Sequence, residues 1–399
     1  MTPPARRGHP GAAPVAVLGA GPSGLATAAM LRRTGIPVVV LERADRVGAS
    51  WARHYDHLRL HTPRGASRLP GLPLPRRSGP WVSREEFVRY LERYREYHGL
   101  DVRTGVTAHR IEPAPAVPGA RWRVRTSDGP LVARAVVVAT GRCRSAYLPE
   151  WPGREGFTGT LLHTADYRGP RPFKGSSVLV VGAGNSGTEI ASVLAREGAR
   201  RTWLAVRTPP TILPRSSSRW HAAGRLTELL PPSWNDRPAL FVQRLTVPDL
   251  SAFGVPPAPT GPFTRHAREE VTPVLDHGFV AAVRSGAVRP VAAVAGFDGP
   301  RVELADGGRL TADVVIAATG YRPCLEGLVA GLDVLDAAGY PRVRGSRTCA
   351  TAPLLYFAGF TNPLGGALRQ VCVEARGIAR SIAARTGRPS ARRWRVDMS

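Results

Sequence analysis

The chain has 399 residues, of which 43% are hydrophobic, and a formal net charge of +25 at pH 7. This length allows two or more domains with their own cores. Lys174 is the only lysine, and the arginines are spread along the chain. We therefore attribute the charge to the coding bias of a GC-rich genome and do not expect nucleic acid as a partner. The positive electrostatic field of the protein still favours anionic ligands.

The sequence also argues against secretion, membrane insertion and metal binding. Residues 1–14 are polar and proline-rich, unlike a signal peptide, and the chain has no run of about 18 apolar residues. Its four cysteines have no C-x-x-C spacing, which disfavours a zinc ribbon or a redox disulfide. We expect a cytoplasmic protein with small-molecule ligands, no metal and an oligomeric state that the sequence leaves open.

A βαβ unit with a glycine-rich loop opens the chain. Residues 15–18 and 37–41 have the apolar character of buried strands, and residues 25–33 have helical spacing. Glu42 ends the second strand, where its carboxylate can accept hydrogen bonds from a ribose and would repel a 2′-phosphate. The sequence therefore predicts a dinucleotide site whose pyrophosphate lies at the helix N-terminus. Its loop is Gly19-Ala20-Gly21-Pro22-Ser23-Gly24.

Residues 51–82 lack periodicity and are predicted to form a long loop. Ser83-x-x-Glu86 is a capping box, and it predicts a helix that begins there. A strand is predicted at 121–126, and a buried strand at 135–139 leads into a tight turn at Thr140-Gly141. The predicted helix has one apolar face, formed by Phe87, Tyr90, Leu91 and Tyr94.

A second βαβ unit is predicted over residues 178–206, after a proline-rich linker. Arg207 occupies the place that Glu42 has in the first unit, and a guanidinium pairs bidentately with phosphate. This charge favours NADP over NAD. Arg215 is either a second phosphate ligand or a solvated arginine. The second loop is Gly182-Ala183-Gly184-Asn185-Ser186-Gly187.

Beyond the second unit, residues 208–262 predict an insertion of short helices, and a strand-rich stretch follows. That stretch ends in Ala318-Thr319-Gly320-Tyr321, which repeats the earlier Ala-Thr-Gly turn. Another strand-to-loop run ends at Gly359, and residues 368–384 predict a closing helix.

Between the two glycine loops lies a motif, F-x-G-x-x-x-H-x-x-x-Y, that resembles the fingerprint of class B flavoprotein monooxygenases. Each of its residues alone has an ordinary structural interpretation. The runs at 42–44, 55–61, 69–75 and 180–187 resemble the YUCCA-type branch of flavin-containing monooxygenases. The motif residues are Phe157, Gly159, His163 and Tyr167.

The resemblance implies FAD at the first loop and NADPH at the second. It implies that one oxygen atom of O2 enters a small substrate through a C4a-(hydro)peroxyflavin. The product would come from N- or S-oxygenation, or from oxygenation and decarboxylation at a carbonyl such as a 2-oxo acid. Trp51 would lie near the flavin, and the linker motif would order the NADP side. The full set of predicted cofactor ligands is Gly19, Gly21, Pro22, Ser23, Gly24, Glu42, Arg43, Trp51, His61, Thr140, Gly141, Gly182, Gly184, Asn185, Ser186, Gly187, Arg207, Arg215, Thr319, Gly320, Tyr321 and Gly359.

At two positions the sequence differs from related families, and these differences bear on the expected substrate class. Baeyer–Villiger enzymes usually end the linker motif in tryptophan, so Tyr167 disfavours ketone oxygenation. Animal-type enzymes have an asparagine after the position of Leu60, whereas this chain has His61, as the YUCCA-type branch does. We assign His61 and Asn185 as catalytic candidates.

The resulting prediction is an α/β fold with two Rossmann-like domains, the NADPH domain being inserted into the FAD domain. The FAD domain would comprise residues 10–150 and 313–390. A linker at 151–171 would precede the NADPH domain at 172–312. The alternatives are a Baeyer–Villiger ketone monooxygenase, an NADPH-dependent reductase that passes electrons to a carrier, and a flavin-binding protein without turnover.

Overall fold

Two parallel sheets, each with a glycine loop after its central strand, form the framework of the protein. The computed structural model describes residues 13–214 and 231–385. The first sheet has the strand order β20-β7-β1-β2-β3, and the second has the order β14-β11-β10-β18-β9. The strands are β1 (Val15–Leu18), β2 (Val38–Leu41), β3 (Val102–Arg103), β4 (Ala108–Pro113), β5 (Trp122–Thr126), β6 (Gly129–Ala133), β7 (Ala135–Val138), β8 (Ser145–Ala146), β9 (Thr160–His163), β10 (Ser177–Val181), β11 (Arg201–Val206), β12 (Ile212–Pro214), β13 (Val274–Asp276), β14 (Arg289–Ala292), β15 (Val294–Asp298), β16 (Arg301–Leu304), β17 (Arg309–Thr311), β18 (Val314–Ala317), β19 (Tyr321–Arg322) and β20 (Leu355–Phe357).

Helices cover the sheets because parallel strands present apolar side chains on both faces. In the first unit, α1 (Pro22–Arg33) packs between β1 and the last helix, α8 (Ala367–Arg385), and α3 (Arg84–Tyr97) covers the same side. Within the described ranges, none of the helices is both long and apolar enough to cross a membrane. The helices are α1 (Pro22–Arg33), α2 (Ala49–Ala52), α3 (Arg84–Tyr97), α4 (Asn185–Arg196), α5 (Pro232–Thr246), α6 (Pro262–Glu269), α7 (Phe279–Arg284) and α8 (Ala367–Arg385).

The predicted helix after Ser83 is confirmed. The Ser83 hydroxyl accepts a hydrogen bond from the Glu86 backbone N–H at 3.3 Å, as a capping serine does. The four predicted apolar residues of α3 are buried, and the Tyr90 and Tyr94 hydroxyls donate to backbone carbonyls of residues 72 and 70. The capping box and the apolar stripe together fix both the start of the helix and its orientation.

An antiparallel three-stranded sheet covers the outer face of each parallel sheet. The sheet β4-β5-β6 packs Trp122 and Val124 against the first unit, and β15-β16-β17 packs Phe297 and Val302 against the second. The two units therefore repeat the same layers, with helices on one face and a small sheet on the other.

The second sheet extends across the predicted domain boundaries at 171/172 and 312/313. β9 lies inside the predicted linker, and β18 lies inside the predicted second part of the FAD domain, yet both belong to the second sheet. β18 pairs with β10 on one side and with β9 on the other. The repeated Ala-Thr-Gly turn has a simple origin, because β7 beside β1 and β18 beside β10 occupy equivalent places in the two units.

Candidate functional site

The first glycine loop turns tightly between β1 and α1. Gly19 has φ +109°, and a Cβ there would lie 2.6 Å from the Ala139 carbonyl oxygen. A Cβ at Gly24 would lie 1.9 Å from the Gly19 oxygen, whereas a Cβ at Gly21 would meet no protein atom within 4 Å. Two glycines are thus required by the turn, and the third leaves the space in which a pyrophosphate can approach the backbone. Pro22 and Ser23 begin α1, so the helix N-terminus faces that space.

Glu42 is held in place by the loop itself. Its carboxylate accepts hydrogen bonds from the backbone N–H of Ala20 at 2.7 Å and of Ala44 at 2.9 Å. Each carboxylate oxygen keeps a further lone pair, so the half-buried side chain can still accept from a ribose hydroxyl. Arg43, the next residue, is exposed.

The late turn at Gly359 packs directly on the first loop. A Cβ at Gly359 would lie 2.2 Å from Ser23 Oγ, and the Gly359 N–H donates to the Glu374 carboxylate at 2.7 Å. Glu374 also accepts from the Thr361 hydroxyl at 2.7 Å. Glu374 was not predicted from the sequence, although an acidic residue on the buried face of α8 is a signal that could have identified it.

The first Ala-Thr-Gly turn lies beside the same loop. The backbone carbonyl before Thr140 limits Gly19, as described above, and Gly141 has φ +82°. The Thr140 hydroxyl is buried and has no hydrogen-bond partner among the described residues. An open face at Gly21, a helix N-terminus and an unsatisfied hydroxyl together fit a bound dinucleotide.

The second glycine loop repeats this geometry. Gly182 has φ +111°, and a Cβ added there would lie 2.6 Å from the Ala318 carbonyl oxygen. A Cβ at Gly187 would lie 1.8 Å from the Gly182 oxygen, and one at Gly184 would meet nothing within 4 Å. The loop opens onto a cleft of about 500 Å³.

Arg207 lies at the rim of this cleft, where it is exposed to solvent. The second Ala-Thr-Gly turn, at Thr319 and Gly320, lines the same cleft. Arg265 was missed by the sequence analysis because nothing distinguishes it from the other arginines. It lines the cleft, is buried, pairs with Glu269 at 3.2 Å, and donates to the Pro209 carbonyl at 2.6 Å. Arg215 lies outside the described residues.

Asn185 and Ser186 begin α4, and the Asn185 side chain is used locally. Its amide nitrogen donates to the Pro273 carbonyl at 3.0 Å, and its amide oxygen accepts from the Leu275 N–H at 2.9 Å. These bonds attach β13 to the N-terminus of α4. The predicted catalytic role of Asn185 stays a prediction.

The linker motif ties the second sheet to the second Ala-Thr-Gly turn. Nε2 of the buried His163 lies 3.0 Å from the Gly320 carbonyl oxygen, while Nδ1 accepts from the Ala165 N–H at 3.0 Å. Burial lowers the pKa of His163, so the ring is neutral and Nε2 carries the hydrogen. The ring also contacts Tyr321 edge-on, with centroids 5.0 Å apart.

The other motif residues serve packing. Gly159 has no room for a Cβ, which would lie 2.6 Å from the Phe157 ring and 2.8 Å from the Asp313 oxygen. Tyr167 is fully buried, stacks on Phe173, and contacts Tyr55 from the loop after α2. The motif therefore contributes to the contact between the units, and its predicted role in ordering the NADP side stays a prediction.

The loop after α2 crosses from the first unit into the second. Trp51 contacts Phe87 of α3, with ring centroids 4.6 Å apart, whereas Tyr55 is part of the apolar core of the second unit. The Tyr55 hydroxyl donates to the Glu189 carboxylate on α4 at 2.9 Å. His61 Nε2 lies 3.7 Å from the same carboxylate, so His61 faces the second unit.

Glu189 is the buried carboxylate at this junction. Burial alone would raise its pKa, but His61, His277 and the Tyr55 hydroxyl together lower it, so the carboxylate is ionised at neutral pH. The neighbouring His54 and His57 have lowered pKa values, mainly because they are buried. The junction thus holds one buried anion among aromatic and imidazole rings.

Comparisons with known proteins agree with this geometry. A sequence model of the pyridine nucleotide-disulphide oxidoreductase family matches residues 16–220. Indole-3-pyruvate monooxygenase YUCCA1 of Oryza sativa subsp. japonica is 38% identical over 352 residues, which cover 86% of each chain. The chain belongs to the YUCCA-type flavin monooxygenases. The probable indole-3-pyruvate monooxygenase YUCCA3 of Arabidopsis thaliana is 33% identical over 92% of this chain and 86% of its own length.

A solved structure extends this agreement to the fold. A flavin-containing monooxygenase from Stenotrophomonas maltophilia superimposes with a TM-score of 0.73 at 29% identity, over 94% of this chain and 99% of its own. The predicted family, fold class and enzyme class are confirmed. FAD and NADPH are the cofactors of this oxidoreductase, and it is a flavin monooxygenase.

Proposed function

We propose that the substrate is a 2-oxo acid with an aromatic side chain, of the indole-3-pyruvate type, which the enzyme converts to the carboxylic acid one carbon shorter. The observation that carries this proposal is the 38% identity, over 86% of both chains, with a protein named indole-3-pyruvate monooxygenase. The strongly positive chain also favours an anionic substrate.

The proposed reaction balances with the cofactors of the family. One 2-oxo acid, O2, NADPH and a proton give the shortened acid, CO2, NADP+ and water. The bond between the carbonyl carbon and the carboxylate breaks, and one oxygen atom of O2 becomes part of the new carboxyl group. NADPH supplies the hydride that reduces the other oxygen atom to water.

In this proposal the first loop holds FAD and the second holds NADPH. Glu42, fixed by two backbone N–H groups, accepts from the FAD ribose, and α1 directs its N-terminus at the pyrophosphate. Arg207 at the rim of the second cleft pairs with the 2′-phosphate of NADPH. Bound flavin, when reduced by NADPH, supplies the oxygen activation that no protein side chain can provide.

The remaining task of the protein is to orient these groups and to exclude water. His163 fixes the Gly320 turn at the mouth of the second cleft through its Nε2–H bond. Tyr167 and Tyr55 seal the contact between the units. The packed part of the junction limits the access of protons and water to the reacting centre between the two cofactors.

The test is product analysis on the purified, FAD-loaded enzyme. We expect NADPH oxidation stimulated by indole-3-pyruvate or phenylpyruvate, release of about one CO2 per NADPH, and one labelled oxygen in the product acid under 18O2. Amines, sulfides and ketones serve as comparison substrates. Oxygenation of an amine or sulfide with no turnover of either 2-oxo acid would reject the proposed substrate class and leave the family intact. NADPH oxidation that yields only hydrogen peroxide with every substrate would also reject it.

A further inference from the structure

A cluster of two histidines and a glutamate lies where the two units meet. His61 comes from the loop after α2, Glu189 from α4, and His277 from the turn between β13 and α7. One ligand atom from each side chain can be chosen so that all three lie within 4.8 Å of one another. The His61 and His277 rings are 5.5 Å apart between centroids. The sequence gives no hint of this cluster, since its members are 88 and more positions apart in the chain.

These side chains form a donor set that suits borderline divalent metals. Two imidazole nitrogens and one carboxylate are the protein ligands of many zinc sites that keep an open fourth position. With bonds of about 2.0–2.2 Å, neighbouring tetrahedral ligands are roughly 3.4 Å apart. The His61 Nε2 to Glu189 carboxylate distance of 3.7 Å is already close to this value.

The carboxylate also has the support that metal ligands require. Glu189 is buried, and the Tyr55 hydroxyl donates to its Oε2 at 2.9 Å, which fixes the orientation of the carboxylate. His61 and His277 are half-buried, so a solvated ion can reach the cluster. Hard cations such as Mg2+ and Ca2+ prefer oxygen ligands, so this set favours Zn2+ or a related transition metal.

We propose that His61, Glu189 and His277 form a binding site for one Zn2+ ion or a similar divalent transition metal, and that the bound ion links the two units. Glu189 supplies the negative charge, and each imidazole supplies one nitrogen. Tyr55 positions the carboxylate without contacting the metal.

Zinc titration of the intact flavoprotein tests this site. The enzyme is freed of any polyhistidine tag, treated with chelator, desalted, and titrated with ZnCl2 in a calorimeter at pH 7.5. We expect one saturable equivalent that stays bound through gel filtration and is detected by metal analysis. His277→Ala should weaken binding more than tenfold, and Tyr55→Phe should weaken it about tenfold. His109→Ala, which removes an exposed histidine of the first unit, is the matched control and should leave binding unchanged.

Glu189→Gln keeps the size of the side chain and removes its charge, so it should abolish the saturable equivalent. Flavin content and the unfolding midpoint of each variant report whether it has folded. If Glu189→Gln fails that check, His277→Ala decides the question, because His277 is only half-buried. Absence of a stoichiometric equivalent in the parent enzyme, or an equivalent that persists in His277→Ala, would overturn the proposal. Neither readout depends on the substrate, so failure here leaves the proposed reaction untouched.

Discussion

The glycine loops of the two dinucleotide units have the same geometry, but their surroundings differ. The Cβ positions of Gly24 and Gly187 would lie 1.9 and 1.8 Å from the facing glycine oxygens. The first loop is covered by Gly359 and α8 from the far end of the chain, and an acid follows it. The second opens onto a cleft with Arg207 at its rim. If the cofactors bind as proposed, the backbone provides a general pyrophosphate site, and side chains outside the loop select the nucleotide.

Replacing a turn glycine should have the largest effect, because backbone atoms leave no space. We expect Gly24→Ala to destabilise the first unit by about 3 kcal/mol and to yield protein without FAD. Gly187→Ala should instead spare FAD and remove NADPH binding, since the same overlap occurs in the other unit. Flavin absorbance per chain and NADPH titration measure the two outcomes. Gly21→Ala, at an open position, is the control for stability, and equal loss of FAD in both turn variants would contradict the independence of the units.

Replacing Arg207, the residue that follows β11, should alter only the choice between NADPH and NADH. A charge-assisted hydrogen bond contributes about 1.5–3 kcal/mol, so Arg207→Ala should raise the KM for NADPH roughly 10- to 150-fold. The KM for NADH should change less than about threefold, because NADH lacks the 2′-phosphate. Arg201→Ala, at the other end of the same strand, is the matched control. An unchanged preference for NADPH would transfer the role to another cation of the cleft, such as Arg265.

Removing the hydroxyl of Tyr55 or of Tyr167 tests which contact between the units contributes to stability. Tyr55→Phe leaves the buried Glu189 without its donor, and we expect a loss of about 1–3 kcal/mol in the free energy of unfolding. Tyr167→Phe should change it by less than about 0.5 kcal/mol, because that hydroxyl has no partner among the described residues. Thermal unfolding compares the two. A large loss in Tyr167→Phe would mean that its hydroxyl binds a group outside the described residues.

The first unit should become less stable at acid pH because the pKa of His98 is lowered in the folded protein. Burial lowers the pKa of this histidine from 6.5 to about 4, so the unfolded chain takes up a proton before the folded one does. The corresponding stability is complete above about pH 6.5 and is lost as the pH falls towards 4. We expect the unfolding midpoint of the parent to fall more steeply over this range than that of His98→Gln. Parallel curves would show that His98 titrates alike in both states.

The local features were predictable from the sequence, and the distant contacts were not. The loops, Glu42, Arg207 and the cap at Ser83 follow from spacing within about 25 residues, because turns, strands and helices form from neighbours. The sheet to which β18 belongs could not be predicted, since its Val-Val-Ile-Ala run fits either sheet and only pairing decides between them. Glu189, Glu374 and His277 were missed for a related reason. Their roles depend on partners far away in the chain, such as His61 and Gly359, and a sequence without structure does not reveal those partners.

The contact between Gly359 and Ser23 affects how the protein is made. The first nucleotide site begins with Gly19, but its cover, formed by the Gly359 turn and Glu374, is synthesised only after the entire second unit. On the ribosome, the second unit can therefore complete its sheet at β18 while the first still lacks β20 and α8. The nucleotide site that is encoded first is finished last, so loss of the terminal helix would empty the FAD site while the NADPH sheet stays intact.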